Sequence, residues 1–408
     1  MSKTEWKEST LGDLIRIKHG YAFKGDYITT NDNGVVLVTP GNFAIGGGFQ
    51  ERKCKFFSSD YPNDYVLKAG DLIVTMTDLS KDGDTLGYSA KVPSSKNRVY
   101  LHNQRIGLIE FKNKNADPNF LYWVMRSPSY QRGIVATASG STVKHTSPGR
   151  ICESKILLPP LAEQQRIAKI LSSLDDKIEL NNAINRNLEE QAQALFKNWF
   201  ADFAPFGGKM PEDWKLGKLG DVAEIKKKTF HPEKNPGLIV EHYSLPALDE
   251  KYYPVFEVAD GIKSNKFVVS KESVLISKLN PDTKRIWRPY CISENPICST
   301  EFVVFESING SHRDFLYSII DSQQFYDFMG SLVTGCTNSH QRVSPETLLT
   351  FPIAIPPKTI LKSFCDKITP IYEMIEKNVL ENQRLANLRD STLPKLMSGE
   401  IDSDKIAV

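Results

Sequence analysis

Two textures alternate along the chain. The first is a series of short β-type runs, such as Val35-Val36-Leu37-Val38, Asp71-Leu72-Ile73-Val74-Thr75 and Glu301-Phe302-Val303-Val304-Phe305, separated by Gly, Asn, Asp and Pro turns. Among them, helical patterns begin near Phe120 and near Phe315. The second texture is a long helical stripe after each of two double prolines, Pro159-Pro160 and Pro356-Pro357. In the first stripe, apolar residues at spacings of three and four are Ile167, Leu171, Leu174, Ile178, Leu188, Ala192, Leu195 and Trp199; Asn181 and Asn185 interrupt it on the same seam. The second stripe reads Phe364, Ile368, Ile371 and Ile375, then Asn378 and Asn382, then Leu385. Neither stretch contains Gly, and Pro370 is the expected interior proline. A helix over roughly 161–201 is about 60 Å long at about 1.5 Å per residue.

The pattern is written twice. Trp6-Lys7-Glu8-Ser9-Thr10-Leu11-Gly12-Asp13 returns 208 residues later as Trp214-Lys215-Leu216-Gly217-Lys218-Leu219-Gly220-Asp221, and Ile17-Lys18 returns as Ile225-Lys226 in that register. Asn119-Phe120-Leu121-Tyr122 answers to Asp314-Phe315-Leu316-Tyr317 at a register of 195, which also pairs Gly140 with Gly335 and His145 with His340. A shift of 197 carries Asn181 to Asn378, Asn185 to Asn382 and one double proline onto the other. A period near 200 residues is too long for a solenoid and indicates two copies of a domain, each followed by a helix. The expected architecture is α+β: mixed α/β domains over 1–158 and 206–355, with helices over 159–205 and 356–402. Ala204-Pro205-Phe206-Gly207-Gly208 is read as the linker after the first helix. Matched heptads predict that the helices pair as an antiparallel coiled coil with pseudo-twofold symmetry. Seam asparagines then fix register, because a slip leaves amides unpaired. The alternative is that each helix packs on its own domain with the asparagines at its solvent edge.

Composition narrows the function classes. With 408 residues, 40% of them hydrophobic and 25% charged, the chain reads as an ordinary globular protein of several domains. Six scattered cysteines (Cys54, Cys152, Cys291, Cys298, Cys336, Cys365) make neither a CxxC pair nor a ligand spacing, which argues against a disulfide framework and a zinc site. No apolar signal core or run of about 18 apolar residues is present, so a cytoplasmic protein with no membrane partner is expected. No GxxxxGK[ST], HExxH, aromatic-flanked Asn-Pro-Pro or glycine dinucleotide fingerprint occurs. Gly46-Gly47-Gly48 is a turn signal, and Glu153-Ser154-Lys155 is too short to establish a nuclease. No catalytic residue and no metal ligand is assigned.

Leu158-Pro159-Pro160-Leu161-Ala162-Glu163-Gln164-Gln165-Arg166-Ile167-Ala168 closely resembles the conserved-region motif of Type I restriction–modification specificity subunits. Asn187-Leu188-Glu189-Glu190-Gln191-Ala192-Gln193-Ala194-Leu195-Phe196-Lys197 and Leu393-Pro394-Lys395-Leu396-Met397-Ser398-Gly399-Glu400-Ile401 are similar to the ends of that family's helices. The resemblance implies two target-recognition domains, each reading half of a bipartite, asymmetric double-stranded DNA site, and paired helices acting as a ruler. It also implies docking of two methyltransferase (modification) subunits and of translocating restriction subunits, with S-adenosylmethionine and ATP held by those partners and no cofactor in this chain. One departure is visible: Lys358-Thr359-Ile360-Leu361 stands where LAEQ-like residues are usual. A coiled-coil adaptor whose globular halves bind proteins is the competing class.

Net charge is only +2, so candidate DNA contacts rest on local clusters. Residues 1–150 carry 20 Lys and Arg against 14 Asp and Glu, whereas 211–350 carry 16 against 19. Three clusters supply cations for phosphates and polar groups for base edges. The first is Lys18, Tyr21 and Lys24, with Lys226, Lys227 and Lys228 in the second copy. The next is the loop Gly140-Ser141-Thr142-Val143-Lys144-His145, matched by Gly335-Cys336-Thr337-Asn338-Ser339-His340 and then Gln341-Arg342. The last is Lys278, Lys284, Arg285 and Arg288 around Asn280-Pro281-Asp282. Arg105, expected in a strand, is a further candidate for a guanine edge. The competing reading of each cluster is a solvated surface or a structural turn.

Overall fold

The computed structural model describes residues 6–52, 54–80, 82–308, 313–332 and 341–406. The chain divides into two compact units, Met1–Lys177 with Leu385–Val408, and Ile178–Arg384. The division cuts both long helices near their middles, so each unit holds one globular part and a piece of each helix.

In the first unit, an antiparallel four-stranded sheet has the order Ile15–His19, Ile106–Phe111, Leu72–Thr75, Ser89–Lys91. Its core joins Leu11, Ile15, Val74, Phe120, Leu121 and Trp123 to Ile167 and Leu171 of the first long helix and Leu393 and Leu396 of the second. A second sheet has the order Ile28–Thr29, Lys55–Phe57, Val35–Val38, Val99–His102, Val66–Leu67, with the third and fourth strands parallel. Lys7–Thr10 pairs with Lys155–Leu158, which ties the start of the globular part to its end.

The second unit repeats this plan. Its four-stranded sheet runs Ala223–Lys226, Phe302–Ser307, Ser273–Ser277, Ile286–Trp287, and Lys215–Lys218 pairs with Pro352–Ile355. Its five-stranded sheet is again built on a parallel pair, Ile239–Tyr243 and Pro296–Ser299. The copies differ at the margin. Ile28–Thr29 lies outside Lys55–Phe57, on the Val35–Val38 side of the parallel pair; Thr229–Phe230 lies outside Lys266–Val268, on the Pro296–Ser299 side. The outermost strand is thus added at opposite edges of the same frame.

Each long helix has 40 residues, Leu161–Phe200 and Lys358–Met397. The second passes through Pro394 as well as Pro370 and ends at Met397. Within the second unit, Asn181 Nδ2 donates to Asn382 Oδ1 at 2.9 Å and Asn378 Nδ2 donates to Asn185 Oδ1 at 2.8 Å. Residue numbers rise on one helix as they fall on the other, so the helices are antiparallel. The same sense holds in the first unit, where Asp175 pairs with Arg389 while Ile167 and Leu171, earlier on the first helix, share a core with Leu393 and Leu396, later on the second; past that helix's end, Arg166 pairs with Asp404 at 3.0 Å. Asn181, Asn185 and Asn378 keep only 1%, 7% and 6% exposure, so these three are not at a solvent edge.

Both expectations for the helices nevertheless hold in part. Ile167 and Leu171, like Phe364 and Ile368, are buried in the cores of their own globular parts, while Leu174, Ile178, Leu188, Ile371, Ile375 and Leu385 are half-buried. The ends of the stripes anchor domains and the amide-bearing middles pair.

The LAEQ motif acts as a clasp. Gln164, 1% exposed, accepts from the Asp117 N–H at 2.8 Å and donates to the carbonyls of Asn115 (3.0 Å) and Pro159 (2.8 Å); Glu163 accepts from the Trp6 indole at 3.1 Å. In the second copy Leu361 takes the place of Gln164 and enters the apolar core with Phe315 and Phe364. The departure from the motif therefore exchanges a polar clasp for an apolar one. The expected linker is packed as well: Phe203 and Phe206 lie against Trp214, with ring centroids 5.7 and 5.0 Å away.

Asn378→Ala strands the Asn185 amide in the seam and is expected to destabilise the protein by about 1–3 kcal/mol. Replacing both Asn185 and Asn378 by Leu is expected to cost less than the sum of the single replacements; denaturant unfolding of the four proteins of this cycle checks it.

Candidate nucleic-acid interface

In the first unit, the turns at one end of the four-stranded sheet are joined by backbone bonds into a rim. The strand Leu72–Thr75 leaves the sheet at Met76, whose N–H donates to Arg105 O and whose carbonyl accepts from Thr146 N, both at 3.0 Å. Thr77 and Asp78 then pair antiparallel with Lys144 and His145. Thr77 Oγ1 lies 3.2 Å from His145 Nδ1. Ser139 and His145 exchange both backbone bonds, at 3.0 and 2.8 Å, closing the loop between them. Gly140 turns that loop at φ +95°, where a Cβ would lie 2.0 Å from Val143 O. Ser141, Thr142 and His145 are exposed on it and Lys144 is half-buried.

Tyr21 joins the same rim. Its N–H donates to His102 O at 2.8 Å and its carbonyl accepts from Gln104 N at 3.0 Å. The ring is 44% exposed and rests against Phe23 and Tyr65, while Lys18 lies 5.2 Å over the Tyr65 ring. Lys24 is exposed nearby in sequence, before the turn Gly25–Tyr27. Arg105 is exposed and sits in a turn rather than in the expected strand: Ile106 N–H returns to Asn103 O at 3.0 Å, and Asn103 Oδ1 accepts from Arg105 N at 3.0 Å. Beneath, His102 donates its Nε2–H to Ile106 O at 2.8 Å, and burial lowers its pKa, which favours the neutral ring.

The second unit builds the same frame. Lys278 N–H donates to Glu301 O at 3.0 Å and its carbonyl accepts from Val343 N at 3.2 Å, matching Met76 with Arg105 and Thr146. Ser277 Oγ donates to Leu279 O at 3.0 Å as Thr75 Oγ1 donates to Thr77 O at 2.9 Å. Asn280 N–H donates to Gln341 O at 3.0 Å, and Leu279 bridges Arg342. Arg342 is exposed and pairs with Glu301 at 2.9 Å. Lys278 and Gln341 are half-buried there. Thr337, Asn338 and His340 lie outside the described residues.

Other basic candidates are engaged elsewhere. Lys226 pairs with Glu224 at 2.7 Å and Lys227 with Glu346 at 2.5 Å, all four largely in solvent, and Lys228 is exposed. Lys284 pairs with Asp321 at 2.6 Å, Arg285 grips Asp249 through two bonds of 2.7 and 2.8 Å, and Arg288 bridges Asp314 and Glu376 at 2.8 Å each. These last three secure the globular part internally, Arg288 through the second long helix. Ser277 N–H donates to Arg285 O at 2.9 Å, so backbone pairing ties this stretch to the rim strand, while the charged ends of its cations are held by these carboxylates.

Sequence reasoning named Asn280 only as a neighbour of the basic stretch, and it missed Tyr65, Gln104 and Glu301. The last was detectable: Asn103-x-Arg105 and Ser299-x-Glu301 each stand between two apolar β runs, and Asn or Ser at such a place caps a tight turn. Ser299 Oγ indeed accepts from Glu301 N at 3.2 Å. Among the described residues there is no His/Cys/Asp/Glu group able to hold a metal ion, and no helix is long and apolar enough to cross a membrane.

With this geometry in hand, comparison with known proteins is decisive. The family described as "Type I restriction modification DNA specificity domain" matches residues 3–190 and again 211–387. The chain belongs to this family. Its members specify the DNA sequence on which a Type I system acts and are not the catalytic subunits. The HindI Type I restriction enzyme specificity subunit of Haemophilus influenzae is 26% identical over 480 aligned positions, covering 98% of this chain and 100% of that protein. The MjaIX specificity subunit of Methanocaldococcus jannaschii is 26% identical over 308 residues, 70% of each chain. The fold is also that of the Type I S subunit from M. genitalium, with TM-score 0.58, 17% identity and 96% coverage of both chains.

Asp78 anchors the rim's neighbouring loop. Burial raises its pKa, but bonds from Ser80 N (2.7 Å), Thr85 N (2.5 Å) and Thr85 Oγ1 (2.8 Å) outweigh that, and the net shift is downward. The ionised form is therefore favoured by folding, and this stabilisation is present above the ordinary aspartate pKa of 3.8 and lost as pH falls through the lowered one. Amide-exchange protection of Thr85 is expected to hold at neutral pH and to drop in acid, and Asp78→Asn to lower it at neutral pH.

Proposed function

We propose that this chain recognises a bipartite, asymmetric double-stranded DNA site, one half with each globular part, and directs methyltransferase and restriction subunits to it. The observation that carries this reading is the rim built twice on the same backbone bonds, around Met76 and around Lys278, with different side chains at matching places. A shared frame supports one docking geometry, and different side chains support two different half-site sequences. The two long helices act as the spacer between the two reading parts. Two modification subunits and the translocating restriction subunits are the protein partners. S-adenosylmethionine and ATP are bound by those partners, and the complex works in the cytoplasm. Chemistry on the DNA is theirs; this chain supplies the address.

Exchange of residues 206–355 for the corresponding segment of a relative, followed by mapping of methylated sites in the assembled methyltransferase, tests this reading. One half-site is expected to change and the other to persist. A change in both halves, or in neither, contradicts it. A protein-binding adaptor would give duplex affinity that is flat in salt, whereas phosphate contacts make log affinity fall linearly with log salt, by about 0.9 per phosphate contacted.

A further inference from the structure

The duplicated rims share the backbone bonds made by Met76 and by Lys278, but one turn carries opposite chemistry in the two copies. Met76 N–H meets the carbonyl of Arg105, and Lys278 N–H meets that of Glu301. Asn103 caps the Arg105 amide as Ser299 caps that of Glu301. Arg105 and Glu301 are therefore the same position of one turn. We propose that this position reads a G·C base pair in each half-site, Arg105 taking the guanine edge in one and Glu301 the cytosine amino group in the other. The inference rests on the DNA-reading role proposed above.

Arg105 is exposed, and no hydrogen bond or ion pair holds its guanidinium among the described residues. A planar fork of donors suits guanine O6 and N7, which are both acceptors. Glu301 is an acceptor, and the cytosine edge in the major groove offers an N4 amino donor. A lone carboxylate is repelled by phosphates; Arg342 at 2.9 Å from Glu301 Oε1 offsets that. Glu301 Oε2 is covered and has no donor among the described residues, yet the side chain keeps 28% exposure. Its terminal torsion is soft, so turning that oxygen outward is cheap.

The surroundings follow the same division. Asn280 Oδ1, beside Glu301 in the second rim, is also buried without a donor. Its counterpart in the first rim, Asp78, has its carboxylate filled by Ser80 and Thr85. Unpartnered carboxylate and amide oxygens thus occur on the second rim, whereas the first carries the unengaged Arg105 guanidinium and an unpartnered hydroxyl, Thr146 Oγ1. Neither charged group is a main anchor of the fold: the Arg105 guanidinium has no hydrogen-bond or ion-pair partner among the described residues, and a partly solvated pair such as Glu301–Arg342 contributes little to stability.

The test uses the full chain assembled with its methyltransferase subunits, carrying Arg105→Ala, Glu301→Ala or Glu301→Gln, the last keeping the side-chain shape. Methylated sites are mapped genome-wide, and rates are compared on duplexes with single base-pair changes. Arg105→Ala is expected to relax one G·C position in one half-site, lowering discrimination there by about five- to hundredfold. Both Glu301 variants are expected to relax one G·C position in the other half-site and leave the first untouched. Motifs unchanged in all three variants, or relaxation at an A·T position or in both halves at once, overturn the assignment of this turn while leaving the bipartite reading intact. A wild-type complex that methylates no bipartite site overturns the bipartite reading itself.

Discussion

A buried amide without a partner costs about 1–3 kcal/mol, a large share of the few kcal/mol that hold a domain together. Between the two long helices of this protein that rule acts on a few side chains at once. Asn181 meets Asn382 and Asn185 meets Asn378, and slipping either helix by one turn would break both contacts together. An all-apolar seam would tolerate such a slip, since one Leu is much like another. The amides give up some stability for a single register. In the proposed role that register matters, because a spacer that slips would blur the distance between half-sites.

The same economy of placement governs the globular parts. Their four-stranded sheets share order and direction, and their rims share backbone bonds, while they differ at several places around that frame. The outermost strand moves to the other edge of the five-stranded sheet, Gln164 gives way to Leu361 at the foot of the helix, and Arg105 gives way to Glu301 at the turn. Each replacement keeps the local geometry by another physical means. A polar clasp that satisfies three backbone groups becomes an apolar contact, and an asparagine-capped turn becomes a serine-capped one. Such a frame can change what it presents without changing how it folds.

Much of this was legible in the order of residues. Helical periodicity placed the first long helix at 161–201 against the observed Leu161–Phe200, and equal spacing of the seam asparagines in both copies foretold their pairing. The rim was only half legible. The loop at Ser141–His145 stood out as a polar repeat, but its link to Met76 and Arg105 depends on bonds between residues far apart in the chain. The basic stretch Lys284-Arg285-Arg288 was only partly legible for the same reason. Its cations look free in sequence and are engaged by Asp321, Asp249, Asp314 and Glu376, as many as 88 residues away. Local spacing reports the period of an element; it does not report which carboxylate a guanidinium will meet.

In the proposed function the helices are a spacer of set length. One helical turn is about 5.4 Å and one base pair about 3.4 Å, so lengthening both helices by a turn should separate the half-sites by one or two further base pairs. The direct measurement is the methylation motif of a complex whose two helices each carry a four-residue insertion in the amide-bearing middle. The account predicts both half-site sequences unchanged and the gap between them longer. An unchanged gap, or altered half-site sequences, would contradict it.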